Sequence, residues 1–367
     1  MQSVTNEIGQ FLLKKDWSVR VISNMYPKNL KHQENIDGLE VKRYIFLSNP
    51  IKYLRSGRID LFFLWMVLKP LNFIWLFVEF YKFKPRIVNL HFPDHQLLEC
   101  LLLKIIFRFK LIISLHGNEV DRMEKLKNKR IKYYFYDNIF QFAYCITGCS
   151  KYLIDKFKLI FPHINYNKYA ILYNGVSDEF IYHKIYNQKS SFIFAASRFV
   201  PVKGLDLLLE ANKSLRENHL IIAGGFEKDL SNLGLRKENN IDLIGPISKM
   251  EIAKYLSTAQ LTAIPSKMEA YGILLAEALC CGSPVVITNV GGVSETISLA
   301  KKNLNANEGE IFDQFVILVE PDALSIKNGI ETLVNSDIIS QYLELVPKIR
   351  TEFKWSKRLE GFYDLLL

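Results

Sequence analysis

The chain has 367 residues, which is enough for about two domains, each with its own apolar core. Its composition of 49% hydrophobic and 23% charged residues, with 12 Pro and 18 Gly, excludes collagen-like, low-complexity and largely disordered chains. The five cysteines are odd in number and widely spread, and they lack the second His/Cys pair that a zinc site needs. We therefore expect them to be buried reduced thiols.

The net charge of +9 is unevenly distributed along the chain. Lysine and arginine outnumber aspartate and glutamate by 27 to 14 over residues 1–175, whereas residues 176–367 carry 20 basic against 24 acidic residues. A basic half that contains a Phe/Trp/Leu-rich segment indicates an anionic membrane surface as a peripheral partner, and no nucleic acid. Solvated charge without any partner is the alternative interpretation.

The first fifteen residues lack the apolar centre of a secretory signal because polar side chains interrupt residues 6–10. This pattern predicts a cytoplasmic location. The most apolar segment, residues 61–78, contains Lys69, Pro70 and Asn72, so we do not expect it to cross a bilayer.

Residues 4–14 predict an amphipathic helix that leads into a strand near Val19. Short apolar runs then alternate with helix-length segments through the first half of the chain, at residues 18–22, 86–90, 110–115, 144–147 and 169–172. This order predicts a doubly wound α/β domain with a parallel sheet. Such a domain normally begins with a strand and a Gly-rich turn, and neither precedes the first helix here. Either the sheet lacks its first, central strand or the given start is internal to the true reading frame.

The second half repeats the pattern, with apolar runs at residues 192–196, 219–223, 241–244, 261–264 and 284–287. Asn174-Gly175 and the polar stretch 177–190 separate the two sets. The sequence therefore predicts two Rossmann-like domains, at residues 1–176 and 190–342. Ligands of such sheets bind beyond the carboxyl ends of the strands, so we expect the functional residues in the loops there and in a cleft between the domains.

Two cations, Arg198 and Lys203, follow the first strand run of the second domain, and a helix is expected to open at Gly204. Arginine grips phosphate oxygens in a bidentate manner, lysine supplies a compact charge, and a helix N-terminus adds amide donors. This combination suits a diphosphate. Taken alone, it would also fit two ordinary surface cations.

The segment 265–284 predicts a helix that begins near Gly272 and ends before Gly282, with Glu269 in the preceding loop and Glu277 inside the helix. The first backbone amides of this helix can face a phosphate or sugar oxygen; they belong to Gly272, Ile273 and Leu274. A carboxylate on either side can accept hydrogen bonds from vicinal hydroxyls. Without further signals, a solvated helix face would explain the two glutamates equally well.

Taken together, these motifs resemble the signature of family 4 retaining glycosyltransferases of the bacterial surface-polysaccharide type. The resemblance rests on residues 174–176, Arg198 with Lys203, 244–245, 265–266, Glu269 with Glu277, 282–286 and 291–295. It extends more weakly to residues 89–92 and 115–119 of the first half. It implies the GT-B fold, in which two doubly wound domains face each other across a cleft, and a C-terminal helix at about 343–367 that packs back onto the first domain.

The resemblance also implies roles for individual residues. Arg198 and Lys203 would hold the leaving diphosphate, with the amides from Gly272 to Leu274 near its phosphate and sugar. Glu277 would bind the ribose, and Glu269 the transferred hexose.

In the first domain, the resemblance implies that His116 approaches the donor sugar from across the cleft. Asn118 and Glu119 would lie on the acceptor side.

The expected activity is the transfer of a hexose from a UDP-, GDP- or ADP-sugar to an acceptor hydroxyl, with retention at the anomeric carbon and without a cofactor or metal. The acceptor is expected to be a lipid-linked or growing surface saccharide. The alternative is a GT-B domain that binds a nucleotide sugar without turnover and acts as a partner subunit.

Overall fold

The computed structural model describes residues 2–25, 30–45, 50–94, 96–125, 130–215, 218–334 and 339–367. The chain divides into two compact units. The first comprises Met1–Cys149, Leu153–Leu172 and Gly361–Leu367, and the second comprises Ser150–Tyr152 and Tyr173–Glu360. The main change from one unit to the other thus falls just before Asn174-Gly175.

Up to residue 172, helices alternate with short strands. In chain order, these elements are α1 Gln2–Leu13, β1 Arg20–Asn24, β2 Gln33–Ile36, β3 Leu39–Tyr44, α2 Pro50–Arg55, α3 Ile59–Phe83, β4 Ile87–His91, α4 Leu97–Phe107, β5 Lys110–Leu115, α5 Asn118–Glu124, α6 Arg130–Gln141, β6 Cys145–Gly148, α7 Lys151–Ile160 and β7 Tyr169–Ile171. Each apolar run expected in this half overlaps a strand.

The hairpin formed by β2 and β3 was not predicted from the sequence. Its strands are rich in charged residues, so the alternation of apolar side chains is weak. The turn is Asp37-Gly38, in which both residues have positive φ, and the Gly38 amide donates to Asn35 Oδ1 at 2.8 Å. An Asp-Gly pair with this geometry is a typical hairpin turn. It is the feature of the sequence from which the hairpin could have been predicted.

The first unit contains two sheets rather than one. Strand β3 lies between β1, to which it is parallel, and β2, to which it is antiparallel; strands β4 to β7 form a parallel sheet in chain order. Within the described residues, no strand pairs with the second edge of β1 or of β4.

Helix α3 passes through Pro70 without ending and is 25 residues long. Its buried Glu79 carboxylate lies 2.9 Å from Arg20 of β1 and 2.7 Å from Lys42 of β3. By length and composition this helix could cross a membrane, and 6% of its most apolar window is buried.

The second unit is built on a six-stranded parallel sheet. From residue 173 its elements are α8 Asp178–Ile181, β8 Ser190–Ala196, α9 Leu205–Asn212, β9 His219–Ala223, α10 Glu227–Asn232, β10 Ile241–Gly245, α11 Lys249–Thr258, β11 Ala259–Ile264, α12 Ile273–Cys280, β12 Val285–Thr288, α13 Val293–Lys301, α14 Ala306–Phe315, β13 Val316–Val319, α15 Ala323–Val334, α16 Ile339–Phe353 and α17 Trp355–Leu366. The sheet order is β10-β9-β8-β11-β12-β13. Apolar side chains of the sheet and of α9 and α15 form its core.

Two features of the second unit differ from the expectation. Strand β13 was missed, and the C-terminal segment forms two helices instead of one. Helix α16 packs against α12, α13 and α14. The last residues, Gly361–Leu367, belong to the first unit, where Tyr363 contacts Phe11 and Trp17.

Replacing Glu79 by Gln should lower the free energy of unfolding by about 2 kcal/mol, because it removes the charge that offsets Arg20 and Lys42 in a poorly hydrated position. Urea-induced unfolding would measure the loss. Asp60→Asn is the control, because Asp60 pairs with Arg58 at the exposed start of the same helix and should matter little. Equal losses in the two variants would contradict this account.

Candidate functional site

The candidate site of the second unit follows from the order of its strands. Strand β8 has β9 on one side and β11 on the other. The connection from β8 to β9 and the connection from β10 to β11 therefore run in opposite directions along the sheet. The loops after β8, β11 and β12 therefore meet at one edge of the sheet, and open α/β sheets bind their ligands at such a switch point. These loops span residues 197–204, 265–272 and 289–292.

The loops after β8 and β11 are in backbone contact. Gly204 has φ of +65°, and a Cβ atom there would lie 1.8 Å from the Pro265 carbonyl oxygen. The Lys267 amide donates to the Val202 carbonyl at 2.9 Å. No residue with a side chain fits at position 204 without displacing the neighbouring loop.

Two predicted site residues, one from each of the loops after β8 and β11, form a pair. Lys203 forms an ion pair with Glu269, and Ser266 Oγ donates to Glu269 Oε1 at 3.0 Å. The Lys203 and Glu269 side chains are 22% and 14% exposed, so solvent still reaches both. Ser266 is a further candidate site residue that the sequence did not predict, although it belongs to the motif at residues 265–266.

The third loop fixes the backbone beside Glu269. The Gly292 amide donates to the Glu269 carbonyl at 3.0 Å, and a Cβ atom on Gly291 would lie 1.9 Å from the same oxygen. Ser150 Oγ donates to the Ala270 carbonyl at 2.5 Å. Residues 269–270 are therefore held by groups from two other parts of the unit.

Helix α12 begins where the sequence predicted. Gly272 is its N-cap with φ of +91°, and no side chain of the described residues caps this end. The first amides of the helix, which belong to the predicted Gly272, Ile273 and Leu274, lie directly after the loop that carries Glu269. The positive end of the helix dipole thus lies three residues after Glu269 in the chain.

Glu277 lies in the second turn of α12. Burial raises the pKa of its carboxyl to about 8; Lys249 opposes the rise and Glu179 adds to it. The group is therefore mostly protonated at neutral pH, and a protonated carboxyl can donate one hydrogen bond as well as accept others. Such a group suits a pair of vicinal hydroxyls, which both donate and accept.

Arg198 differs from Lys203 in its surroundings. It is exposed in the loop after β8, and among the described residues it forms no ion pair. The structure thus brings Lys203 to Glu269 and leaves Arg198 accessible at the start of the same loop.

In the first unit, the predicted His116 directly follows β5. Its ring stacks on Phe92 with centroids 4.1 Å apart, and its Nε2 lies 2.9 Å from Nδ1 of His91. Burial lowers the pKa of both rings, to about 4 for His91 and well below the ordinary value for His116, where His91 adds to the effect. Both rings are therefore neutral near pH 7, and one nitrogen of the pair donates its proton to the other.

Glu119 holds the backbone around His116. Its Oε1 accepts the amides of His116 and Gly117, the latter at 3.0 Å, whereas its buried Oε2 has no hydrogen-bond partner among the described residues. Burial raises the pKa of this carboxyl, and the amide donors oppose the rise. Asn118 is exposed. The acceptor-side role of both residues stays a prediction.

His91 and Phe92 are candidate site residues that were not predicted as such. The signal was present, because both belong to the motif at residues 89–92. Only the pairing of β4 with β5 shows that this motif lies beside His116.

Two family models match adjacent parts of the chain. The model described as Glycosyltransferase Family 4 matches residues 1–180, and the model described as Glycosyl transferases group 1 matches residues 178–344. The chain belongs to glycosyltransferase family 4.

Relatives of this family 4 chain bear similar names. An uncharacterised glycosyltransferase of Methanocaldococcus jannaschii is 28% identical over 256 residues, covering 68% of this chain and 66% of the relative. A second one from the same organism is 29% identical and covers 53% and 55%. The D-inositol 3-phosphate glycosyltransferase of Jonesia denitrificans is 30% identical, over 30% of each chain. The chain thus spans less than two thirds of the length of each of these relatives, between 30% and 66%.

Solved structures show the GT-B fold for this family 4 chain. The sucrose-phosphate synthase of Thermosynechococcus elongatus superimposes with a TM-score of 0.70 at 16% identity, covering 99% of this chain and 92% of that one. Anabaena HepE in complex with UDP and glucose gives 0.63 at 16% identity, covering 90% and 86%. Both predictions, of the family and of the GT-B fold, are confirmed.

Replacing Gly204 by Ala should destabilise the second unit by about 2 kcal/mol or more, because a Cβ atom would both strain the backbone and strike the Pro265 carbonyl. Gly234→Ala is the matched control: its φ is +74°, but nothing lies within 4 Å of the added atom, so only the strain of about 1 kcal/mol remains. Urea unfolding of both variants tests this difference, and equal losses would count against the loop contact.

Glu277→Gln should change the pH dependence of stability. Because the pKa in the folded chain is about 8, against an ordinary 4.5, the wild type holds a proton that its unfolded state releases. Its stability relative to the Gln variant should therefore fall as the pH rises from about 4.5 to 8 and then level off. Urea unfolding at pH 5, 6.5 and 8 measures this; parallel curves would show that the carboxyl titrates normally.

Proposed function

We propose that the chain transfers a hexose from a nucleotide diphosphate sugar to the hydroxyl of a lipid-linked or growing surface saccharide, with retention at the anomeric carbon and without a metal. It would act in the cytoplasm, at the inner face of the membrane. The observation that supports this best is the pairing of Lys203 with Glu269 beside the start of α12, at the switch point of the sheet.

The ion pair suits a site that exchanges partners when the donor binds. A diphosphate carries more negative charge than one carboxylate, so it would draw Lys203 away from Glu269. The freed Glu269 oxygen could then accept a hydrogen bond from a hexose hydroxyl, while Ser266 still orients the carboxylate. Anabaena HepE, with a similar fold, binds UDP and glucose, which supports a UDP-, GDP- or ADP-sugar as donor.

The remaining predicted residues fit this donor. The exposed Arg198 would reach the diphosphate, and the first amides of α12 would face its oxygens. The protonated Glu277 would bind the ribose hydroxyls. In the first unit, we assign His116 to the transferred sugar, and Asn118 and Glu119 to the acceptor side.

In the proposed reaction, the bond between the anomeric carbon and the diphosphate oxygen breaks while the acceptor oxygen forms a new bond on the same face. The proton of the acceptor hydroxyl passes to a phosphate oxygen of the leaving group. The protein's main contribution is to stabilise the charge that grows on the diphosphate, through Arg198, Lys203 and the helix dipole. Glu269 orients the sugar and need not act as a nucleophile.

Nucleotide release tests the proposal directly. The purified chain is incubated with UDP-, GDP- and ADP-sugars, with and without a lipid extract as the acceptor source, and the anomeric configuration of the product is read by NMR. We expect release with one donor, an unchanged configuration and full activity in EDTA. Tight nucleotide binding without release under every condition would overturn the proposal in favour of a partner subunit.

Lys203→Ala should lower kcat/KM by about tenfold or more, because it removes a charge that stabilises the leaving diphosphate. The melting temperature should stay near that of the wild type, since the side chain is partly exposed. Lys213→Ala, at the exposed end of α9, is the control and should keep full activity. Unchanged kinetics in the Lys203 variant would show that the residue has been misassigned.

A further inference from the structure

Helix α3 has its polarity reversed relative to a normal surface helix. Its most exposed apolar side chains are between 38% and 62% accessible and follow one another at helical spacing; they are Ile59, Phe63, Leu64, Met66, Val67, Leu71, Ile74 and Val78. At about 100° per residue, these side chains occupy one half of the helix surface. Surface helices of globular proteins place charged and polar side chains there instead.

Three polar residues of α3 lie on the opposite half and bind the rest of the unit, whereas Asp60 and Lys82 near the two ends are exposed. Glu79 pairs with two cations of the sheet, as described above, and Lys69 Nζ lies 2.6 Å from Glu99 Oε1 of α4. Asn72 Nδ2 donates to the Ile45 carbonyl at 2.6 Å. Because these three side chains are held by the protein, α3 is attached to the unit along that half, and its apolar half is left to solvent.

Helix α4 also exposes apolar side chains to solvent. Four of its apolar side chains are between 41% and 62% exposed, whereas Glu99 is 4% exposed; the four are Leu98, Leu102, Ile105 and Ile106. The two helices are neighbours, because Phe77 and Phe107 have ring centroids 5.2 Å apart in addition to the pair between Lys69 and Glu99. Neighbouring helices that cover one side of a unit turn their solvent sides in the same general direction. We call these twelve exposed apolar residues the α3–α4 face.

Exposed cations lie near the ends of the two helices that carry the α3–α4 face. Exposed basic residues lie before α3, just after it and at the end of α4; they are Arg55, Arg58, Lys82, Lys84, Arg86 and Arg108. Residues 51–110 contain ten Lys and Arg against four Asp and Glu, and two of those acids, Glu79 and Glu99, are buried in ion pairs. The net charge near the face is therefore strongly positive.

We propose that the α3–α4 face binds the surface of an anionic lipid bilayer, with its apolar side chains inserted at the level of the headgroups. An apolar stripe bordered by lysine and arginine is the pattern of helices that lie in the membrane interface. Two copies joined through the same face would bring their cationic borders together, which disfavours a symmetric dimer as the occupant. The polar contacts of α3 with the unit oppose its crossing the bilayer. The proposal does not depend on catalytic activity.

Vesicle flotation tests it. The full-length chain at 150 mM salt should float with vesicles that contain phosphatidylglycerol and much less with vesicles of phosphatidylcholine alone. The double variant Val67→Asp and Ile74→Asp should lower the floating fraction by about fivefold or more, because it places charge on the inserted face. Leu324→Asp, at a 65% exposed leucine of the second unit, is the matched control and should float like the wild type.

Two results would overturn the proposal. One is the absence of flotation with anionic vesicles. The other is a dimer of the wild type in light scattering that the double variant abolishes, because a second copy would then cover the face. Circular dichroism of the double variant shows whether it has kept its fold; if it has not, Lys82→Glu with Lys84→Glu tests the charge requirement, and undiminished flotation of that variant would also contradict the proposal.

Discussion

The candidate donor site depends on the close approach of backbone to backbone. Gly204 lies against the Pro265 carbonyl, and Gly291 lies against the Glu269 carbonyl, at distances that leave no room for a side chain. These contacts join the loops after β8, β11 and β12 into one rigid edge. The side chains of Lys203 and Glu269 meet because their backbones are already fixed there.

The charges at this edge of the sheet would favour the binding of an anion. Lys203 and Glu269 neutralise each other, Arg198 is exposed, and burial keeps Glu277 largely protonated near pH 7. An arriving diphosphate would therefore meet positive charge and helix amides with little opposing negative charge. A site of this kind can stabilise a leaving phosphate group through fixed charges and dipoles.

The first unit uses buried charge for a different purpose. Glu79 and Glu99 attach α3 and α4 to the unit through ion pairs, and the apolar sides of both helices are left facing outward. In the same unit, Glu119 turns its carboxylate to the amides that precede it, and so holds the backbone of His116. In each case a buried carboxylate is held by cations or by backbone amides of the same unit.

The sequence alone was enough to predict the doubly wound units and the start of α12 at Gly272, because apolar periodicity and glycine positions are local properties. It did not show the hairpin of β2 and β3 or the strand β13, whose patterns are short or highly charged. Only the tertiary structure could decide that Lys203 meets Glu269, 66 positions away, that His91 faces His116, and that the apolar half of α3 points outward. Pairing and burial depend on which strands become neighbours, and that order is set by packing over the whole unit rather than by any one segment.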